Sequence, residues 1–88
     1  MFLNYEKSFL KDIKKLNDKS IAKKLKDILS LLENSDYLMD ISNIKKLKGH
    51  NNYYRIKIGN YRLGFSLEDK EIDIIRFLHR KDIYKFFP

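Results

Sequence analysis

His79, Arg80 and Tyr84 lie close together near the end of the chain, and Arg62 precedes them in an alternating apolar and polar segment. These residue types suit metal-independent RNA cleavage, in which a 2′-hydroxyl attacks its own 3′-phosphate and expels the next 5′-oxygen. That reaction needs a base, an acid and cations. His79 is the candidate base, and Arg62 and Arg80 are candidates for holding the non-bridging phosphate oxygens. Tyr84 is a candidate proton donor or base-stacking residue, although a surface histidine and a packing tyrosine are simpler interpretations.

A tight hairpin is predicted immediately before this segment. The runs Tyr53 to Ile58 and Tyr61 to Leu67 alternate with period two, and the dipeptide Gly59-Asn60 between them is typical of a two-residue turn. Pairing Ile58 with Tyr61 separates an apolar face from a polar one. The polar face carries Tyr53, Arg55, Lys57, Arg62, Gly64 and Ser66.

The polar face of this hairpin is a candidate phosphate-binding surface. Lys57 falls opposite Arg62, an arrangement of like charges that costs roughly 0.2 to 1 kcal/mol and that often marks a functional site. Gly64, opposite Arg55, is expected to leave a hollow that a ligand or another backbone can approach. Exposed basic residues on a strand are often only solubilising. The candidate RNA and phosphate contacts are Arg55, Lys57, Lys46, Lys48 and Lys81.

The other predicted elements indicate an α+β fold. A short strand over residues 2–5 precedes two amphipathic helices, over about 6–16 and 18–34, with Asp18 as the N-cap of the second. This N-terminal strand and helical hairpin are expected to pack on a small antiparallel sheet of strands 53–58, 61–67 and 71–78. Pairing Leu67 with Ile72 would set Phe77 opposite Arg62 and bring His79 to the end of the sheet that carries Lys57. A short terminal helix or turn from residue 80 would then bring Tyr84 back over that end.

Composition limits the remaining possibilities. The 88 residues fit one domain. The net charge of +7 favours a polyanionic partner. The absence of cysteine is compatible with a reducing cytoplasm. No signal peptide or membrane span is apparent, so we expect a cytoplasmic protein. No cofactor or metal motif is recognisable: His50 lies in a predicted surface loop, and the acidic residues from Glu68 to Asp73 form a predicted solvated turn. The lysines of the two helices are expected to lie mainly on the solvent-exposed faces of those helices.

The order of elements and three segments resemble the RelE/ParE superfamily of toxins from bacterial type II toxin-antitoxin systems. The segments are KLKG, YYRIKIGNYRLGF and IIRFLHRKDIY. The resemblance implies a compact RelE-like fold and, in the RelE branch, an endoribonuclease (mRNA interferase) that cuts mRNA in the ribosomal A site and inhibits translation.

Residue by residue, the RelE-type basic pair on the middle strand matches Arg55 and Lys57, and the arginine after the hairpin tyrosine matches Arg62. The late-strand arginine matches Arg80 and the C-terminal tyrosine matches Tyr84. Arg55 occupies a position that is often lysine in RelE, and Tyr84 follows Arg80 at a shorter spacing. The histidine before Arg80 resembles branches that use a C-terminal histidine. These departures bear on the acid and base more than on phosphate binding.

The resemblance also implies partners: a cognate antitoxin that neutralises the toxin in a toxin-antitoxin hetero-oligomer, and the ribosome with its mRNA. Two alternatives stay open at this point. One is a ParE-like poison of DNA gyrase, which shares the fold without the catalytic residues. The other is a non-catalytic nucleic-acid-binding module of the same fold.

Overall fold

A computed structural model describes all 88 residues of the protein. A five-stranded sheet forms its centre. The strands lie in the order β1-β5-β4-β3-β2; β1 and β5 are parallel and the other neighbours are antiparallel. The α+β prediction is confirmed, with β2 as a strand that the sequence analysis did not identify. The elements are β1 (Phe2–Tyr5), α1 (Lys7–Lys14), α2 (Lys19–Asn34), a 3₁₀ turn (Leu38–Asp40), β2 (Ile44–Lys46), β3 (Tyr53–Ile58), β4 (Tyr61–Glu68), β5 (Glu71–His79) and α3 (Arg80–Phe86).

The main core lies between one face of the sheet and the helical pair α1 and α2. Side chains at helical spacing on α2 meet alternate side chains of the strands, because one apolar stripe covers one apolar face. The Asp18 carboxylate accepts a hydrogen bond of 3.0 Å from the Ile21 N–H, which confirms the predicted N-cap of α2. The fully buried members of this core include Leu32, Ile56, Leu63, Phe65, Ile72 and Ile74.

The hairpin of β3 and β4 has the predicted register. Ile58 pairs with Tyr61, Lys57 with Arg62 and Arg55 with Gly64. Gly59 adopts a φ of 59°, a left-handed conformation that glycine tolerates without the steric cost of a Cβ. Lys57 and Arg62 therefore share the face of the sheet opposite the main core.

The register between β4 and β5 differs from the prediction by one residue at its second half. Leu67 pairs with Ile72 as expected, but a bulge opposite Gly64 and Phe65 inserts Ile75, so that Arg62 pairs with Leu78 instead of Phe77. The physical reason is burial: the bulge turns Phe77 onto the core face opposite Leu63, where the phenylalanine is 2% exposed. His79 consequently pairs with Tyr61, and not with Asn60 as predicted.

A second, smaller apolar cluster lies on the other face of the sheet, under α3. It joins Ile83 of α3 to Leu47 and Phe87. The ring of Phe87 lies over Gly64, where an added Cβ would come within 2.8 Å of the ring carbons. The hollow expected at Gly64 is therefore filled by a side chain of the same protein, and the prediction that it is open to a ligand is wrong.

Candidate phosphate-binding groove

A basic groove lies between α3 and the edge strand β2, on the sheet face that carries the hairpin cations. Its volume is about 270 Å³. Four of its six lining residues are cations and none is a carboxylate, so the groove concentrates positive potential where a phosphate can enter. The lining of this basic groove consists of Asn43, Lys45, Arg55, Lys57, Arg62 and Tyr84.

Strand pairing explains why these cations meet. Ile44 of β2 pairs with the buried Ile56 of β3, which places Lys45 opposite Arg55 on the groove face. The Lys57 N–H donates to the Asn43 carbonyl at 3.0 Å and holds the start of β2 beside the hairpin. Like charges in adjacent positions are unfavourable in the free protein and become favourable when an anion binds.

Arg62 is held at the floor of the groove by its own turn. Its Nη1 donates to the carbonyl of Gly59 at 3.0 Å and to that of Tyr61 at 2.8 Å. Both hydrogen bonds use one nitrogen, so Nε and Nη2 are available to a ligand. A guanidinium with a fixed position and free donors is suited to binding phosphate oxygens through two hydrogen bonds.

Tyr84 forms the wall of the groove that α3 contributes. Its neighbour Ile83 is fully buried and anchors the helix, whereas the Tyr84 side chain is exposed. The Arg55 guanidinium carbon lies 4.7 Å from the centroid of the Tyr84 ring, which is cation–π distance. The predicted proximity of Tyr84 to the hairpin cations is therefore present in the structure.

His79 reaches the predicted end of the sheet, but its side chain lies on the opposite face from Arg62. It pairs with Tyr61, which packs against the main core, and the two rings meet edge to face at 5.6 Å. The His79 Nδ1 accepts a hydrogen bond of 3.2 Å from the Lys81 N–H and caps the N-terminus of α3. The bulge at Ile75 in β5 turns the His79 side chain away from the groove face. The alternation of apolar and polar residues in the sequence does not indicate this bulge.

The other predicted basic residues divide between the groove and its surroundings. Lys46 pairs with Tyr54 and so lies on the helix side of the sheet, while its neighbour Lys45 lines the groove. Arg80 and Lys81 begin α3 and are exposed outside the groove lining. Sequence analysis missed Lys45 because β2, with three residues, is too short to show a clear alternation.

An adjoining cavity, here called the distal pocket, continues the basic groove beyond Tyr84. Its volume is about 340 Å³, and it shares Lys45, Arg55 and Tyr84 with the groove. The remaining lining residues are Leu47, Lys48, His50, Phe87 and Pro88. His50 is exposed in a loop, as predicted, yet it lines a cavity together with three residues of the basic groove.

Neither a metal site nor a membrane segment is apparent in the structure. No group of three or more histidine, cysteine, aspartate and glutamate side chains comes together as a potential metal site. No helix combines the length and the apolar character that crossing a membrane requires.

Comparison with known proteins identifies the family to which this chain belongs. The family model for the ParE toxin of type II toxin-antitoxin systems matches residues 3–84. Toxin RelE3 of Methanocaldococcus jannaschii is 45% identical over 85 residues, which cover 96% of each protein.

Solved structures of RelE toxins share the fold of this chain. A crystal structure of a RelB-RelE antitoxin-toxin complex from Methanococcus jannaschii matches with a TM-score of 0.82 and 43% identity, over 96% of this chain and 98% of the matched chain. The toxin fold in the intact RelBE toxin-antitoxin complex of E. coli matches with a TM-score of 0.70 and 27% identity, over 89% and 94% of the two chains. The resemblance noted in the sequence is confirmed: the chain belongs to the ParE toxin family of type II toxin-antitoxin systems and is a RelE-like toxin.

Proposed function

We propose that this toxin is a ribosome-dependent endoribonuclease that cleaves mRNA in the A site and so inhibits translation. The observation that carries the proposal is the basic groove, in which Lys45, Arg55, Lys57 and Arg62 converge beside Tyr84 without a carboxylate. Such a lining suits a phosphodiester whose negative charge increases in the transition state.

The proposed reaction is metal-independent transfer within the RNA. The 2′-hydroxyl gives its proton to a general base while its oxygen forms a bond to phosphorus, the bond to the 5′-oxygen breaks, and the products are a 2′,3′-cyclic phosphate and a free 5′-hydroxyl. Arg62 holds the non-bridging oxygens through its free Nε and Nη2 donors, and Lys57 and Arg55 stabilise the added charge. Tyr84 donates a proton to the leaving 5′-oxygen; its ring is held against the Arg55 guanidinium.

The exposed cations outside the groove have a different proposed role. Arg80 and Lys81 are exposed outside the groove lining and Lys48 lines the adjoining distal pocket, so we assign these three cations to phosphates that flank the scissile bond. His79 positions α3 through its cap and so acts on the reaction through Tyr84.

Dependence on the ribosome follows from the small number of proton-transfer groups. A site of this kind gains much of its rate from holding the 2′-oxygen, phosphorus and 5′-oxygen in line, and a decoding centre supplies part of that constraint. Free RNA is then a poor substrate, and the reaction takes place in the cytoplasm on translating ribosomes.

A cognate antitoxin is the second proposed partner. The relatives from Methanococcus jannaschii and E. coli were solved as complexes of RelE with RelB. An acidic or amphipathic antitoxin segment would complement the positive charge of this chain, which is +7 overall.

Cleavage of an mRNA during in vitro translation, mapped by primer extension, tests the proposal. Codon-phased cuts that require ribosomes are expected with the wild-type protein and should vanish with folded Arg62→Ala. Lys26→Ala on the exposed side of α2 is the matched control and should cleave like wild type. An intact message with a protein that still arrests growth would contradict the proposal, and a gyrase cleavage assay would then test the ParE-like alternative.

A further inference from the structure

The basic groove has no lining side chain that readily accepts a proton. Lysine and arginine side chains are protonated near neutral pH and tyrosine is un-ionised, so none of them readily accepts a proton. Histidine is the side chain whose charge ordinarily changes between pH 5 and 8. Among the residues that line the basic groove and the distal pocket, His50 alone is a histidine.

The two cavities meet at a place that suits a scissile phosphate. Lys45, Arg55 and Tyr84 line both of them. The basic groove adds Arg62 to these shared residues, and the distal pocket adds His50. In an in-line displacement the attacking and the leaving oxygen lie on opposite sides of the phosphorus. Tyr84 lines both cavities, so it can serve the leaving oxygen from the basic groove while His50 serves the attacking oxygen from the distal pocket.

Packing holds the His50 loop beside the groove. The His50 ring meets Tyr53 edge to face at a centroid distance of 6.1 Å, and Tyr53 meets Phe87 in the same manner at 5.7 Å. Phe87 in turn lies over Gly64, where only a residue without a side chain permits this approach. These contacts connect the loop to the sheet and to the segment after α3 that carries Phe87.

We propose that His50 is the general base of the cleavage reaction, an inference that rests on the proposed nuclease function. The neutral imidazole takes the proton of the 2′-hydroxyl while the 2′-oxygen bonds to phosphorus. The bond from phosphorus to the 5′-oxygen breaks with its electron pair, and the 5′-oxygen takes a proton from Tyr84. Solvent then returns a proton to Tyr84 and removes one from His50.

No other side chain that lines the distal pocket readily accepts a proton near neutral pH. The charged and titratable groups that line the distal pocket with it are Lys45, Lys48, Arg55 and Tyr84, and Tyr53 contacts its ring. No carboxylate side chain lines this pocket. His50 is therefore the side chain of the two cavities best suited to accept the proton of the 2′-hydroxyl.

Single-turnover cleavage on mRNA-programmed ribosomes tests this role, with wild type, His50→Gln and the loop control Asn51→Ala compared between about pH 6 and 8. His50→Gln should lower the rate constant about 10²- to 10⁴-fold without changing the concentration of toxin that half-saturates the ribosomes. The wild-type rate should fall toward acid pH, and the residual rate of His50→Gln should not. Asn51→Ala should match wild type.

Each other outcome has a definite meaning. A His50→Gln variant that retains the wild-type rate and its acid limb overturns the assignment while leaving the nuclease intact. A loss confined to ribosome affinity makes His50 a binding residue and also overturns it. Thermal unfolding checks each variant, and His50→Asn replaces His50→Gln if the latter is unfolded. Wild-type protein that leaves mRNA intact removes the proposed function itself, and the assignment with it.

Discussion

The Asp12 carboxylate of α1 binds the Arg76 guanidinium of β5 through two hydrogen bonds of 2.9 Å. One of its oxygens also accepts a hydrogen bond of 3.0 Å from the buried Phe77 N–H. Strand β1 ends at Tyr5, so β5 has no strand neighbour on this side beyond Ile74. Asp12 therefore supplies the acceptor that a longer β1 would otherwise have provided, next to the bulge that sets the register of β5.

Replacing Asp12 with alanine should lower the free energy of unfolding by about 2 to 4 kcal/mol, because it leaves the Phe77 N–H and the half-buried Arg76 unpaired. Urea denaturation measures this change. Asp27→Ala, which removes an exposed carboxylate from α2, is the control and should change stability by less than about 0.5 kcal/mol. Equal effects of the two substitutions would show that the Asp12 contacts contribute little.

Adding a methyl group at Gly64 should displace Phe87. A Cβ there would lie 2.8 Å from the Phe87 ring, so Gly64→Ala should destabilise the protein by about 1 to 3 kcal/mol. The same substitution in a Phe87→Ala background should cost less, and the difference in a double-mutant cycle measures the coupling between the two residues. Additive effects would mean that the ring moves aside without cost.

The period-two pattern was sufficient to predict the hairpin and its two faces. Each residue of β3 and β4 lies where alternation places it, because a two-residue turn and one buried face leave a single register. The Asp18 cap and the amphipathic pattern of α2 were equally informative. Local chemistry determines these features, so one sequence contains the signal.

The placement of His79 and of the β2 lysines depends on non-local contacts. The bulge at Ile75 is stabilised by burial of Phe77 and by Asp12, which is 64 residues before Arg76 in the chain. Three-residue β2 is too short to show a clear period, so Lys46 was chosen where Lys45 lines the groove. Alternation within one sequence does not reveal the contacts that stabilise the bulge or the pairing of β2 with β3.

Removing the His79 ring should loosen α3. His79→Ala deletes the Nδ1 acceptor of the Lys81 N–H, whereas His79→Asn supplies another N-cap acceptor. Hydrogen exchange of the α3 amides should show that alanine weakens the helix by about 0.5 to 2 kcal/mol relative to asparagine. In the cleavage assay, asparagine should retain more activity than alanine; equal loss in both variants would instead support a direct chemical role for His79.

Lys45 and Lys46 allow a test of RNA binding in the basic groove, because replacing either lysine with glutamine removes one positive charge. Lys45 pairs with Arg55 on the groove face, and Lys46 pairs with Tyr54 on the helix side. If RNA phosphates bind in the basic groove, Lys45→Gln should weaken binding to a single-stranded RNA and reduce the slope of log K against log salt by about 0.7, the value for one lost phosphate contact. Lys46→Gln should leave both nearly unchanged. Fluorescence anisotropy at several salt concentrations, with the toxin purified away from any antitoxin, measures the two slopes. Similar losses of affinity in both variants would indicate that RNA binding depends on the overall charge of the protein. Such a result would contradict the proposal that phosphates bind in the basic groove.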